Sequence, residues 1–251
     1  MSIALSVNLN KIALIRNSRD GEYPSIADFA LRSVKAGANG LTAHPRPDQR
    51  HIRPSDIATL ADTVKEHTHL ELNIEGNPFA AALADYAGLL SISTEYKPAQ
   101  CTLVPDSNTQ KTSDHGFDLH KDGEKLKPII NELKAKGIRV SLFMDPDCEQ
   151  IELAHRIGAD RIELYTGPFA LAYQEDKQTA ERIFKQHCMA AEYANQLGLG
   201  LNAGHDLNLN NMQMYKGLPY LQEVSIGHAL TVDALIMGFE QAIEAYATIC
   251  R

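Results

Sequence analysis

The sequence predicts a (β/α)8 (TIM) barrel formed as one domain over residues 1–251. Three observations carry this expectation. Short β-rich runs alternate with longer helical patterns from one end of the chain to the other, as a parallel sheet with crossover helices requires. Eight such units can be counted. The length of 251 residues is close to the roughly 250 typical of this architecture. An open doubly wound sheet would more often place a glycine-rich fingerprint after its first strand, and the segment VNLNKIALIRN has no glycine.

The expected strands cover residues 3–9, 40–45, 70–76, 100–106, 139–146, 161–168, 200–206 and 223–230. Each is short, rich in β-branched or aliphatic residues and bounded by Gly, Pro, Asn or Asp. Helical periodicity fills the intervals at 25–38, 54–67, 125–137, 148–159, 180–198 and 231–250. Several helices run into a glycine just before the next strand, as at Gly37, Gly137 and Gly198. Glycine there supplies the left-handed residue that closes a helix. Two intervals are irregular. Residues 76–99 hold more chain than one helix needs. Residues 106–124 form a long polar loop after strand 4, on the face where barrels carry their active sites, and read as a lid.

Within the strands one parity is apolar and the other polar. Leu5, Val7 and Leu9 alternate with Ser6, Asn8 and Asn10, and Leu70, Leu72 and Ile74 alternate with Glu71, Asn73 and Glu75. Strands 2, 5, 6 and 7 repeat the pattern. Neighbouring side chains on a strand face opposite ways, so the apolar parity meets the helices and the polar parity fills the barrel. Glu71, Glu75, Glu163 and His44 therefore point inward. One such group can be a hydrogen-bonded core residue. Polar groups from five or more strands in one interior are a functional signal, because a barrel without a site fills this volume with Val, Ile and Leu.

Composition narrows the chemistry. A net charge of −8 excludes a general nucleic-acid binder, which needs a basic face. No run approaches a membrane span, and the N-terminus reads as a strand rather than a signal peptide. Four cysteines without CxxC spacing fit a reduced, cytoplasmic setting. No GxSxG nucleophile, HExxH motif or cysteine-rich metal set occurs. His44, Glu71, Glu163, His205 and His228 are the titratable candidates, suited to several proton transfers. The segment SIGHALTVDALIMG opens from a glycine into a helix, the usual barrel phosphate site. Arg16, Arg19, Arg46, Arg50, His51 and Arg53, after strands 1 and 2, offer a second anion site. Two anion sites around acid–base groups point to condensation or rearrangement of small phosphorylated molecules. A metal-dependent phosphosugar isomerase or aldolase, and a non-catalytic barrel that binds phosphorylated ligands, are the alternatives.

Nearly the whole chain resembles the pyridoxine 5′-phosphate synthase family. The resemblance lies in VNLNKIALIRNSR, TAHPRPDQRHI, LELNIEGNP, LVPD, SLFMDPD, IELYTG, LGLGLNAGHDLN and IGHAL. It implies cofactor-free condensation of 1-deoxy-D-xylulose 5-phosphate with 3-amino-2-oxopropyl phosphate. It implies His44 and Glu71 as proton acceptors, His205 as proton donor and Glu163 as a charge-stabilising group. Asn8, Arg19, Asp206 through its backbone, Gly227 and His228 would hold the amino-ketone phosphate. Asn10, Lys11, Arg46, His51 and Thr112 would hold the xylulose phosphate, with Thr112 on the lid. It also implies an octamer built from dimers. Two departures stand out. Many members have Asp-His where this chain has Asn10-Lys11, and Asp206 stands where Gly is common. The Asp206 carboxylate is expected to turn away from phosphate and leave only its N–H in use.

Overall fold

Alternation along the strands sorts the residues between two surfaces. In the computed structural model, which describes residues 2–107 and 109–251, Leu5, Val7, Leu41, Ile74, Val140, Leu142, Ile162, Leu164, Ala203, Val224 and Ile226 are all fully buried. They form the layer between sheet and helices, where burial of apolar area drives folding.

The chain runs β1 (Ala4–Asn8), α1 (Asn10–Arg16), α2 (Ile26–Lys35), β2 (Gly40–Ala43), α3 (Pro54–Glu66), β3 (Glu71–Gly76), α4 (Leu89–Tyr96), β4 (Gln100–Leu103) and α5 (Leu119–Ala135). It continues with β5 (Arg139–Met144), α6 (Cys148–Arg156), β6 (Arg161–Tyr165), α7 (Gly167–Glu175), α8 (Lys177–Gln196), β7 (Gly200–Gly204), α9 (Met212–Tyr215), β8 (Leu221–Ile226), α10 (His228–Met237) and α11 (Phe239–Cys250). The strands pair in sequence order and close into a parallel barrel. Closure is made where Ala4–Val7 of β1 register with Glu223–Ile226 of β8. All eight expected strands are present. No helix among the described residues is long and apolar enough to cross a membrane.

The departures from expectation have local causes. The helix expected over 231–250 is two helices, α10 and α11, parted at Gly238, whose φ of 98° no ordinary helix accommodates. Strand β8 ends at Ile226 and not at 230, because α10 begins at His228. Helix α5 begins at Leu119, six residues before the expected 125, so the loop after β4 is shorter than expected. Asn108 of that loop lies outside the described residues. Helices α1, α7 and α9 were not anticipated. Helix α1 follows β1 after a single residue, Leu9, and so looks like a continuing strand in the sequence.

The interior is polar along its height. Near the N-terminal ends of the strands, Arg139 pairs with Glu71 and donates to Gln100 at 3.0 Å, and Arg161 donates to Asn202 at 3.0 Å and to Glu223 at 3.1 Å. One layer up, Ser6 and Thr42 are hydrogen-bonded at 2.7 Å, and Thr102 donates to Asn73 at 2.9 Å. These cross-strand bonds offset the desolvation of the groups that make them.

Candidate active site

At the C-terminal mouth the polar parity opens into a cavity of about 300 Å³. Its residues come from every quarter of the barrel. Asn8 ends β1, His44 follows β2, Glu75 lies near the end of β3, Glu163 stands in β6, His205 follows β7, and Gly227 follows β8.

Local bonds set these side chains. Asn8 Nδ2 donates to Glu75 Oε1 at 2.8 Å, while its Oδ1 accepts from the Asn10 N–H at 2.9 Å. Asn10 Oδ1 accepts from the His44 N–H at 2.9 Å, so Asn10 pins the end of β2 to the start of α1. The His44 ring lies between two acids, with Nδ1 3.8 Å from Glu75 and Nε2 3.4 Å from Asp106. Asp106 also pairs with Arg46. Burial, reinforced by the Arg46 charge, holds His44 well below the ordinary histidine range, so it is a neutral imidazole. Burial takes His51 down to about 3. Its Nδ1 accepts from the Ile52 N–H at 2.9 Å, which leaves the ring proton on Nε2. The two buried glutamates move the other way. Burial lifts Glu75 to about 7. It lifts Glu163 well above the carboxylate range, and the Glu75 charge adds to the effect. Both carboxyls can therefore carry protons near neutrality.

His205 sits in the left-handed region at φ 74°. Backbone strain in a non-glycine residue at a cavity is a mark of functional placement. Its Nδ1 lies 2.9 Å from Asp206 Oδ2 and its Nε2 lies 2.5 Å from Thr112 Oγ1. An Nδ1–H donates to the carboxylate, and the threonine hydroxyl donates to Nε2. The His205 hydrogen bond keeps Asp206 below the usual carboxylate range. Asp206 lines the cavity with its carboxylate engaged by this ring.

Thr112 brings the loop after β4 over the mouth. Arg46 Nη1 donates to Ser107 O at 3.1 Å, and Arg50 Nη1 donates to Gln110 O at 2.9 Å. At the loop's far end the Gly116 N–H donates to Asp145 Oδ2 at 3.1 Å. A Cβ at Gly116 would fall inside the backbone of Met144 and Asp145, so only glycine passes this close.

After β8, Gly227 caps α10 without a side chain, so the first amides of that helix are open to the cavity. A Cβ at Gly227 would come within 3.0 Å of Asn8 Cβ. Helix N-terminal amides and the helix dipole favour an anion here. Ser225 Oγ and Arg46 Nε are buried with no hydrogen-bond partner among the described residues, and both residues line the cavity.

Of the expected site residues, Asn8, Asn10, Lys11, His44, Arg46, His51, Thr112, Glu163, His205, Asp206, Gly227 and His228 all line this one cavity. Two expected residues do not. Glu71 opens β3 at the other end of the barrel, half-exposed and paired with Arg139, which holds its carboxylate below the usual range. Glu71 and Glu75 share a parity but differ in height by four residues, or ~13 Å of strand. Arg19 is exposed on the outer surface, beyond the end of α1, with its N–H bonded to Arg16 O. Glu75 was expected to point inward but carried no role. Asp106 was not singled out at all. Its only signal was an acid directly after strand 4 on the catalytic face.

Residues 5–251 match the family model described as "Pyridoxal phosphate biosynthesis protein PdxJ". The chain belongs to the PdxJ family. Among relatives, pyridoxine 5′-phosphate synthase of Xanthomonas campestris pv. campestris (strain B100) is 49% identical over 251 residues, covering 99% of this chain and 96% of that protein. The enzyme of the same name from Xylella fastidiosa (strain M12) is 46% identical, covering 98% and 94%. Among solved structures, the tryptophan synthase alpha chain of Legionella pneumophila subsp. pneumophila superposes with a TM-score of 0.66 at 13% identity, covering 99% of this chain and 92% of that one. Thiamine phosphate pyrophosphorylase from Pyrococcus furiosus gives 0.61 at 9% identity, covering 99% and 95%. These two likenesses concern the barrel fold alone. The matched span holds every residue that lines the cavity.

Proposed function

We infer that this PdxJ-family protein is an enzyme that makes pyridoxine 5′-phosphate. We propose that it does so from 1-deoxy-D-xylulose 5-phosphate and 3-amino-2-oxopropyl phosphate, releasing inorganic phosphate and water without a cofactor. One observation carries the reading beyond family membership. Four acid–base side chains, His44, Glu75, Glu163 and His205, share one cavity with the cationic Lys11 and Arg46 and with Gly227 and His228 at the N-terminus of α10.

The two anion sites hold two phosphates apart. The α10 amides with Asn8 and His228 take the amino-ketone phosphate. Arg46, His51 and Lys11 take the xylulose phosphate, with Thr112 closing over it. The amine then meets the ketone at the centre, beside the histidines. Imine formation, dehydration and ring closure each move a proton to or from carbon, nitrogen or oxygen. Neutral His44 accepts such a proton. His205, once protonated, donates one while Asp206 balances the imidazolium. Neutral Glu163 donates a hydrogen bond to developing negative charge. No step in the cavity is routed through Glu71, whose carboxylate faces the opposite mouth. The lid keeps bulk water from reactive enamines.

The protein is read as cytoplasmic and as an octamer built from dimers. Exposed apolar residues on α1 and α10 (Leu14, Ile15, Leu235 and Ile236) support association through this side. Arg19, which does not reach its own cavity, follows α1 on the same chain segment. The decisive experiment mixes purified protein with both substrates and follows pyridoxine 5′-phosphate absorbance and phosphate release. Formation of neither product overturns the reading. Light scattering tests the octamer.

A further inference from the structure

We infer that Glu75 is an acid–base residue of the cavity, exchanging protons with bound substrate alongside His44, whose ring is positioned by Asp106. The inference rests on the synthase reading for its substrates, and on geometry for the residue. Glu75 is nine-tenths buried yet lines the cavity, four residues up the strand from Glu71. Its carboxyl has one fixed neighbour, the Asn8 amide at 2.8 Å, and faces the Nδ1 edge of His44 at 3.8 Å.

The remaining edge of His44 settles which way protons can run. Nε2 lies 3.4 Å from Asp106 Oδ2, and Asp106 is itself clamped by Arg46. A neutral ring that turns its N–H to Asp106 presents the Nδ1 lone pair to Glu75. A protonated Glu75 can then give its proton to Nδ1, and an ionised Glu75 can take one from substrate. The separation exceeds a hydrogen bond here, as such pairs often do before substrate tightens them. Burial that brings Glu75 to about 7 makes both forms available at working pH. Glu163 lies close enough that its charge and that of Glu75 oppose each other. The two carboxyls therefore favour sharing one charge, which suits a site where protons arrive and leave in turn.

A structural carboxyl offers a different account of the same residue. Among the described residues its one polar contact within hydrogen-bond distance is acceptance from Asn8, and glutamine would accept equally well through its own Oε1. Glu75→Gln therefore keeps the structural bond and removes the proton exchange.

The expected result is a fall in kcat of ~10²- to 10⁴-fold with KM changed by less than about threefold, and loss of the pH-rate limb near neutrality. Thermal unfolding confirms that the variant is folded. A Glu75→Gln enzyme that keeps the wild-type kcat and pH profile overturns the inference. So does one that loses rate while the profile keeps its shape. Asp106→Asn is expected to displace the same limb, and an unmoved limb removes Asp106 from the positioning role. Failure of the wild-type protein to form product would sink the synthase reading instead. Glu75 is then still tested without turnover, by 13C NMR of glutamate-labelled protein. A carboxyl resonance titrating near neutrality and missing from Glu75→Gln supports the inference, and its absence from the wild type overturns it.

Discussion

Replacing Asp56 with alanine should unsettle the protein more than any surface charge would. The carboxylate lies on the first turn of α3 and meets the Arg16 guanidinium at both oxygens, the second at 2.9 Å. Arg16 and Asp56 are 2% and 5% exposed. Asp56→Ala leaves a guanidinium buried and uncompensated, a loss of ~3–5 kcal/mol. Asp56 Oδ2 also accepts from the Arg53 N–H at 2.7 Å, so a helix cap goes as well, adding ~1 kcal/mol. At ~2–4 °C per kcal/mol for a chain of this size, the midpoint should fall by roughly 8–24 °C. Differential scanning calorimetry measures it. The double variant Arg16→Met/Asp56→Leu removes both charges and should recover most of the loss, since apolar replacement of a buried pair is often neutral. Loss below ~1 kcal/mol in the single variant, the range of a surface pair, would refute the reasoning. So would a double variant no more stable than the single one. The pair also reaches the site. Arg16 Nη2 donates to His51 O at 3.2 Å and Asn17 Nδ2 donates to the same oxygen at 2.8 Å, so the loop bearing His51 should loosen and KM should rise.

Burial lifts Glu75 from its ordinary 4.5 to about 7, so between these values the folded protein holds a proton that the unfolded chain has released. Stability from this group is full below pH ~4.5 and declines by ~3 kcal/mol as pH rises through 7. The stability of the wild type relative to Glu75→Gln, from urea unfolding at several pH values, should fall as pH rises through this range; a difference independent of pH contradicts the burial argument. Gly116→Ala drives a methyl group into the β5 backbone, so the lid should lose its anchor and KM rise ~10-fold or more. Steady-state kinetics, with limited proteolysis of the loop, checks this against unchanged wild-type values. Glu71→Gln should retain ~100-fold more activity than Glu75→Gln, the lower limit expected from losing an acid–base group only in the latter. The reverse order would restore the role that the sequence implied for Glu71.

Alternation along the strands makes the barrel and its polar interior legible in the sequence. Period-two patterning assigns a side chain to a face, and Ser6, Asn73, Glu163 and Asn202 all lie on the face it assigned. It does not assign a height. Glu71 and Glu75 are equivalent in the pattern, and only the partners Arg139 and Asn8, distant in sequence, show which end each occupies. The arginines that hold Glu71 and Glu223 open strands 5 and 6, where a sequence reading sees ordinary flanking charges. Arg19 takes its expected role from the family resemblance, yet it lies exposed beyond the end of α1 and does not line the cavity. Asp106 acquires meaning from two residues of another βα loop, His44 and Arg46. Such convergence is set by barrel closure and by no local spacing.

The grip of Arg46 and Arg50 on the loop after β4 falls on peptide oxygens, those of Ser107 and Gln110. Every amino acid supplies that oxygen. The loop's outer residues are thereby relieved of any duty to keep it shut, and closure is inherited from the barrel rim beneath. Mutation can recolour the cover from charged to neutral, or from small to bulky, while the hold beneath it stays the same. The burden of constancy moves to the two ends of the span, to Thr112 above His205 and to Gly116 against the fifth strand.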